Sequence, residues 1–340
     1  MYTNRIFAPK TMLLFSLKTI LALIIYSSII VSLYLYLDCF WLKIPWVPIS
    51  LIGVAVSFYV GFKNNSAYDR TWEARKIWGG IVNSSRSWGL LTKGFVTDEF
   101  AKNDVPQADI DQVRKRLIYR HIAWLYRLKR QLRVLKPWEH DANLNREYRK
   151  YIKSHFPTED ADVELANFLE DDEVQKILKA SNGCTQLLLL QTEDLRELKK
   201  LGLIDDFRHM EMQNMLTEFF TLQGKCERIK NFPLPRQYAS LSIYFVYILI
   251  FLIPMGLISA FTDANISTNM IWAVVPFSTL VGWIFWMMEG VGDYAENPFE
   301  NLAFDTPMTA LTRTIEIDLK EMLNETDIPK PIEAVDDFIV

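Results

Sequence analysis

The sequence predicts an all-α membrane protein, with four transmembrane helices and a long polar helical section between the second and third. Three observations carry this. Four stretches reach the roughly 20 apolar residues that a helix needs to cross a hydrocarbon core of about 30 Å. Lys and Arg gather on one side of those stretches. Between them, residues 63–236 are polar, and their apolar positions recur at helical spacing. The averages conceal the pattern: 340 residues are 50% hydrophobic and 23% charged, close to a soluble domain. Their distribution excludes a secreted mini-protein, a disordered chain and a simple soluble enzyme. A net charge of -4 offers no basic field for nucleic acid. Cys39, Cys184 and Cys226 lie far apart without CxxC spacing, which signals neither a disulfide framework nor a zinc site.

The first span runs from Met12 to Leu37, with Lys18 near its start able to snorkel to headgroups. It is too long for a signal peptide and lacks a small-residue cleavage site. The second runs from Ile44 to Phe62, with Trp41 and Trp46 at belt positions. Leu241–Phe261 and Met270–Met288 are the third and fourth. Arg5 and Lys10 precede the first span, Lys63, Arg70, Arg75 and Lys76 follow the second, and Arg228, Lys230 and Arg236 precede the third. The turn between the first two spans carries only Lys43, and Phe261–Asn269 carries no Lys or Arg. The positive-inside rule then puts both termini and the middle section in the cytoplasm. Four segments of one integrated fold follow: 1–62, 63–236, 237–292 and 293–340.

In the middle section, Asp111–Leu135 is the clearest helix. Leu117, His121, Trp124, Leu125, Leu128, Leu132 and Leu135 form one stripe among many Arg and Lys. That pattern reads as a solvated face over a packed stripe, with a membrane-surface or nucleic-acid helix as the sharper alternative. His121 reads as a packed core histidine. Pro137 closes the helix, and Trp138–Asp162 holds a short charged helix with Pro157 and acidic turns. Helices are expected at Val163–Ala180, at Asn182–Leu201 with Gly202 as its stop, and at Asp205–Ile229 before Pro233 and Pro235. There is no GxGxxG, P-loop, GxSxG or HExxH. No catalytic residue or cofactor is implied.

The second span places Val54, Phe58 and Phe62 at i, i+4 along one face. Its string Ser57-Phe58-Tyr59-Val60-Gly61-Phe62, then Asn64-Asn65 as a polar turn, then Arg70 and Trp72, resembles the bestrophin channel family in its bacterial-type branch. Trp78-Gly79-Gly80 to Arg86, Gly224-Lys225-Cys226-Glu227-Arg228 running into Pro233-Leu234-Pro235, and Ala295-Glu296-Asn297-Pro298-Phe299 followed by Thr312-Arg313-Thr314 extend the resemblance over residues 5–325.

The resemblance implies a homopentamer around a central pore in a bacterial inner membrane, passing small monovalent ions passively. The second span, 44–62, would line the pore, and Val54, Phe58 and Phe62 would form apolar rings, the family's neck, which gate by dewetting. A second constriction in the cytoplasmic section would fall at Met210, with His209 or Gln213 as alternatives. Asp69 and Glu73 sit at i, i+4 below the neck, either facing its mouth or pairing with Arg70 or Arg75. Apolar rings encode no sign, and the bacterial-type motifs with the slightly acidic chain lean toward cations. In animal members the NPF signature runs into consecutive acidic residues that clasp calcium. Here that run is interrupted by Asn301, Leu302, Ala303 and Phe304, which leaves Asn297, Glu300 and Asp305 as a remnant before a Thr309–Met322 helix. Insensitivity to calcium is therefore expected. The rival readings are a membrane-anchored scaffold and a coupled transporter, the latter expected to carry a mid-membrane charge or a broken helix.

Overall fold

The computed structural model describes residues 1–6, 9–140, 143–156, 160–264 and 267–340. Asn265 and Ile266 of the loop before the fourth span, and Pro157, lie outside the described residues. Eleven α-helices occur among those described. They are α1 Pro9–Tyr36, α2 Trp46–Phe95, α3 Gln107–Leu132, α4 Asn143–His155, α5 Ala161–Ala166, α6 Asp171–Lys179, α7 Gly183–Leu201, α8 Asp206–Asn231, α9 Arg236–Asp263, α10 Val274–Ala295 and α11 Met308–Met322. No strand appears among the described residues, only isolated bridges. Four helical segments are long and apolar enough to cross a membrane: Phe15–Tyr36, Trp46–Phe95, Arg236–Asp263 and Met270–Ala295. A helix suits that setting because it satisfies its backbone polar groups internally.

The chain divides into two compact units. The apolar unit holds residues 4–70 and 233–297: α1, the start of α2, α9 and α10. Ile49, Val56 and Val60 of α2 pack with Val246, Leu249 and Ile253 of α9. Ile30 and Val31 of α1 pack with Met255, Ile258 and Val274. Some polar side chains inside this unit are satisfied by near neighbours. The Ser278 hydroxyl meets that of Ser27 at 2.8 Å, and Tyr26 donates to the Phe251 carbonyl at 2.7 Å.

The polar unit comprises residues 1–3, 71–232 and 298–340. Its core centres on α3, which packs against α5, α7, α8 and α11. Trp78, Trp88 and Trp124 are fully buried there. Each large apolar side chain removed from water contributes about 1.5–3 kcal/mol.

Four sequence expectations change. Asn64-Asn65 forms no turn: α2 runs unbroken for 50 residues, about 75 Å at 1.5 Å per residue, straight through the expected boundary after Phe62. Buried Ala67, Ala74, Ile77, Trp78, Ile81, Ser85 and Trp88 supply a packed stripe at helical spacing, and packing of that kind overrides the weak propensity of Asn and Gly. Second, α3 does not carry a solvated face over a single stripe. It is buried on nearly every side from Leu117 to Tyr126. Its buried cations are paired: Arg120 with Glu173 and Asp194, both at 2.6 Å, and Lys129 with Glu164 at 3.0 Å. Third, α3 ends at Leu132, so Pro137 is not its terminator, and Leu135 is exposed. Fourth, the single helix expected over Val163–Ala180 is two, α5 and α6, separated by residues 167–170.

His121 lies where the sequence puts it, in the core. Its ring stacks on Trp124, approaches Phe219, and meets the Ser85 hydroxyl at 2.8 Å. Burial lowers its pKa to about 3, so the ring is neutral.

Candidate functional site

The first half of α2 has two unlike faces. Val56 and Val60 are buried against α9. Val54, Phe58 and Phe62 are 55%, 66% and 67% exposed, because four-residue steps advance about 400° and keep them together on the other side. Three large apolar side chains in a row, uncovered by their own chain, mark a surface that meets lipid or other protein.

Directly after Phe62 the chemistry changes. The Lys63 side chain is 1% exposed and is ion-paired with Glu289 of α10, itself 5% exposed. The second Glu289 oxygen accepts from the Ser242 hydroxyl of α9. Asp293, one turn further along α10, lies 4.0 Å from the Lys63 ammonium. Asn64 Nδ2 donates to the Met288 carbonyl at 2.8 Å. Next along α2, Arg70 donates to the Glu296 carbonyl, and Arg236 pairs with the Glu296 carboxylate, both at 2.9 Å. Sequence reasoning missed the Lys63–Glu289 pair. It counted Lys63 only as a flanking positive charge and ended the fourth span one residue before Glu289. Opposite charges at the same end of two spans were the available signal.

The remaining candidates fall as follows. Glu73 is ion-paired with Arg228 of α8, not with Arg70 or Arg75. Asp69 is exposed. On α8, Met210 is 64% exposed; His209 and Gln213 are half-buried, and Gln213 donates to Thr192 Oγ1 at 3.3 Å.

In the turn before α11, the Glu300 carboxylate is fully buried and already engaged. His140 Nδ1 donates to it at 3.0 Å and Arg149 Nη2 at 3.3 Å, while Arg149 Nε donates to the Glu300 carbonyl at 3.1 Å. Asp305 accepts from the Leu302 N–H at 3.1 Å. Burial, reinforced by the nearby Glu300 charge, raises its carboxyl to about 7. Asn297 Nδ2 contacts Glu296 Oε1 at 3.5 Å. A divalent cation would have to displace Arg149 and His140 from Glu300. The donor set therefore does not fit a calcium clasp, which wants several free carboxylate oxygens.

The described residues form an all-helical chain with four helices long and apolar enough to cross a membrane, which places it among multi-span helical membrane proteins. Residues 6–321 match the family model described as Bacterial/Fungal Bestrophin protein. The chain is a member of that family. Among its relatives is the voltage-dependent anion channel-forming protein YneE of Salmonella typhi, 27% identical over 288 residues, covering 85% of this chain and 80% of that one. Another protein bearing the voltage-dependent anion channel-forming name, from Mesorhizobium japonicum, is 27% identical over 320 residues, covering 94% and 88%. The crystal structure of a bacterial bestrophin homolog from Klebsiella pneumoniae shares the fold, with a TM-score of 0.73 and 24% identity over 90% of this chain and 97% of that one. The lean toward cations finds no support in these relatives, whose names are those of anion channels.

Proposed function

We propose that this protein is a passive anion channel, formed by five copies in a bacterial inner membrane with both termini in the cytoplasm. In this reading α2 of each copy lines the pore. Val54, Phe58 and Phe62 form its apolar neck, and Met210 on α8 forms a second constriction in the cytoplasmic section. Asp69 faces the cytoplasmic mouth, whereas Glu73 is neutralised by Arg228.

The observation that carries the reading is the uncovered apolar face of α2 in a chain of this family. A ring of such residues holds water poorly, so an ion crosses only when the ring widens or wets. The relatives' anion-channel names supply the sign. Because Glu300 is already compensated by Arg149 and His140, conduction needs no calcium.

Purified protein in liposomes with asymmetric NaCl decides the matter. The reversal potential should lie near the chloride equilibrium value and stay there when micromolar calcium is replaced by EGTA. A reversal near the sodium value would overturn the sign, and absence of current would overturn the channel.

A further inference from the structure

The buried cation beside the neck has two carboxylates within reach. Lys63 follows Phe62 directly, and adjacent residues of a helix share one rigid backbone segment. Whatever fixes Lys63 therefore fixes the height and rotation of Phe62. Lys63 is seated on Glu289, which Ser242 also holds, so one contact ties α2, α9 and α10 together. The second carboxylate, Asp293, stands 4.0 Å from the same ammonium and is 41% exposed. It follows Glu289 by four residues, about 6 Å further along α10.

A lysine buried against lipid-facing helices is costly to leave unpaired. A pore helix locked by one ion pair would strand that charge whenever it moved. Two carboxylates one turn apart remove the difficulty, because the ammonium passes from one to the other without losing its partner. The surface between α2 and α10 suits such a shift. A Cβ at Gly292 would come within 2.1 Å of Asn64 Oδ1, so glycine lets the Asn64 side chain rest directly against α10, and a larger residue there would make that side chain turn away. Asn64 Oδ1 is itself buried without a hydrogen-bond partner, so this contact is incompletely satisfied in the present arrangement. One-turn displacements of an element past its neighbour are an established kind of switching movement.

We propose that Lys63 is a two-seat latch on the pore-lining helix, holding the neck narrow when seated on Glu289 and releasing it when seated on Asp293. The proposal rests on the reading of α2 as the pore wall. A purely structural ion pair predicts something different: loss of either carboxylate lowers stability and leaves flux through assembled channels unchanged.

The test is chloride flux through liposomes carrying equal amounts of assembled wild-type, Glu289→Gln or Asp293→Asn protein. Glu289→Gln keeps the volume and an acceptor for Ser242 but weakens the first seat, so flux should rise several-fold. Asp293→Asn weakens the second seat, so flux should fall several-fold. Opposite directions support the latch; changes in the same direction, or none, overturn it. If Glu289→Gln does not assemble, Asp293→Asn decides alone, since that half-exposed carboxylate is not a core residue: reduced flux supports the latch, and unchanged or raised flux overturns it. A wild-type protein that carries no current would overturn the channel reading and the latch with it. A conducting wild type without the opposed pair overturns the latch alone.

Discussion

His121 illustrates what burial does to a single titratable residue. Its folded-state pKa, about 3, lies well below the ordinary histidine value of 6.5, so the folded protein binds fewer protons than the unfolded chain between those values. Stability from this group is full above pH 6.5 and is lost as the pH falls toward 3. Acidification from pH 7 to 5 should cost about 2 kcal/mol through this residue. His121→Phe keeps a ring between Trp124 and Phe219 and leaves Ser85 its bond to the Ile81 carbonyl. Thermal melts in detergent at pH 7 and pH 5 should therefore show a smaller acid-induced drop in the variant, and equal drops would show that His121 is not the responsible group. The core role of His121 was legible because it falls on the apolar stripe of its helix. The partners of Glu73 and Glu300 were not, because Arg228, His140 and Arg149 lie far from them along the chain and no local spacing links them.

At the scale of an element, the ends of helices follow sequence rules where the cap is local. Gly202 closes α7 with φ at 74°, its N–H donating to the Lys199 carbonyl at 3.1 Å and the Leu203 N–H to the Leu198 carbonyl at 2.9 Å. This is the left-handed cap that glycine favours. A Cβ there would also come within 2.4 Å of the Phe100 carbonyl oxygen, a backbone atom that cannot rotate away. Gly202→Ala should therefore lower stability by more than the ~1 kcal/mol of the left-handed backbone alone; a melting temperature equal to wild type would contradict this. The single long α2 was harder to read. Residues 44–62 carry the membrane signal, and the polar string after them suggests a break. What keeps the helix going is burial of Ala67, Ala74, Trp78 and Trp88, a tertiary effect that a polar-turn argument at Asn64-Asn65 cannot see. The same limit misjudged α3, whose Arg120 and Lys129 look solvated in sequence but are buried against carboxylates from distant helices.

For the whole molecule, the open question is how one chain becomes a conduit. The spans were readable from hydropathy, and their orientation is an inference from Lys and Arg alone. The number of copies was not readable from composition or periodicity, because symmetry is a property of surfaces that meet only in the assembly; it entered through the family resemblance. The physical reason to expect an assembly lies in α2. A face bearing Val54, Phe58 and Phe62, more than half exposed in the isolated chain, encloses nothing by itself, and the described residues of one copy bring four spans. Copies arranged about an axis place that face around a closed path, and closed rings are the usual outcome of a repeated head-to-tail contact. Mass photometry of protein in detergent should then give one species holding close to 200 kDa of protein, five times the 39.7 kDa chain. The proposed neck gives the accompanying functional readout: if Phe62 lines it, Phe62→Ala should leave that species intact and raise chloride flux, since truncating a side chain that is exposed in the single chain would widen the constriction without opening a core cavity. A monomer of about 40 kDa would remove the pore. A stable pentamer whose flux ignores Phe62→Ala would keep the assembly and move the constriction elsewhere on the path.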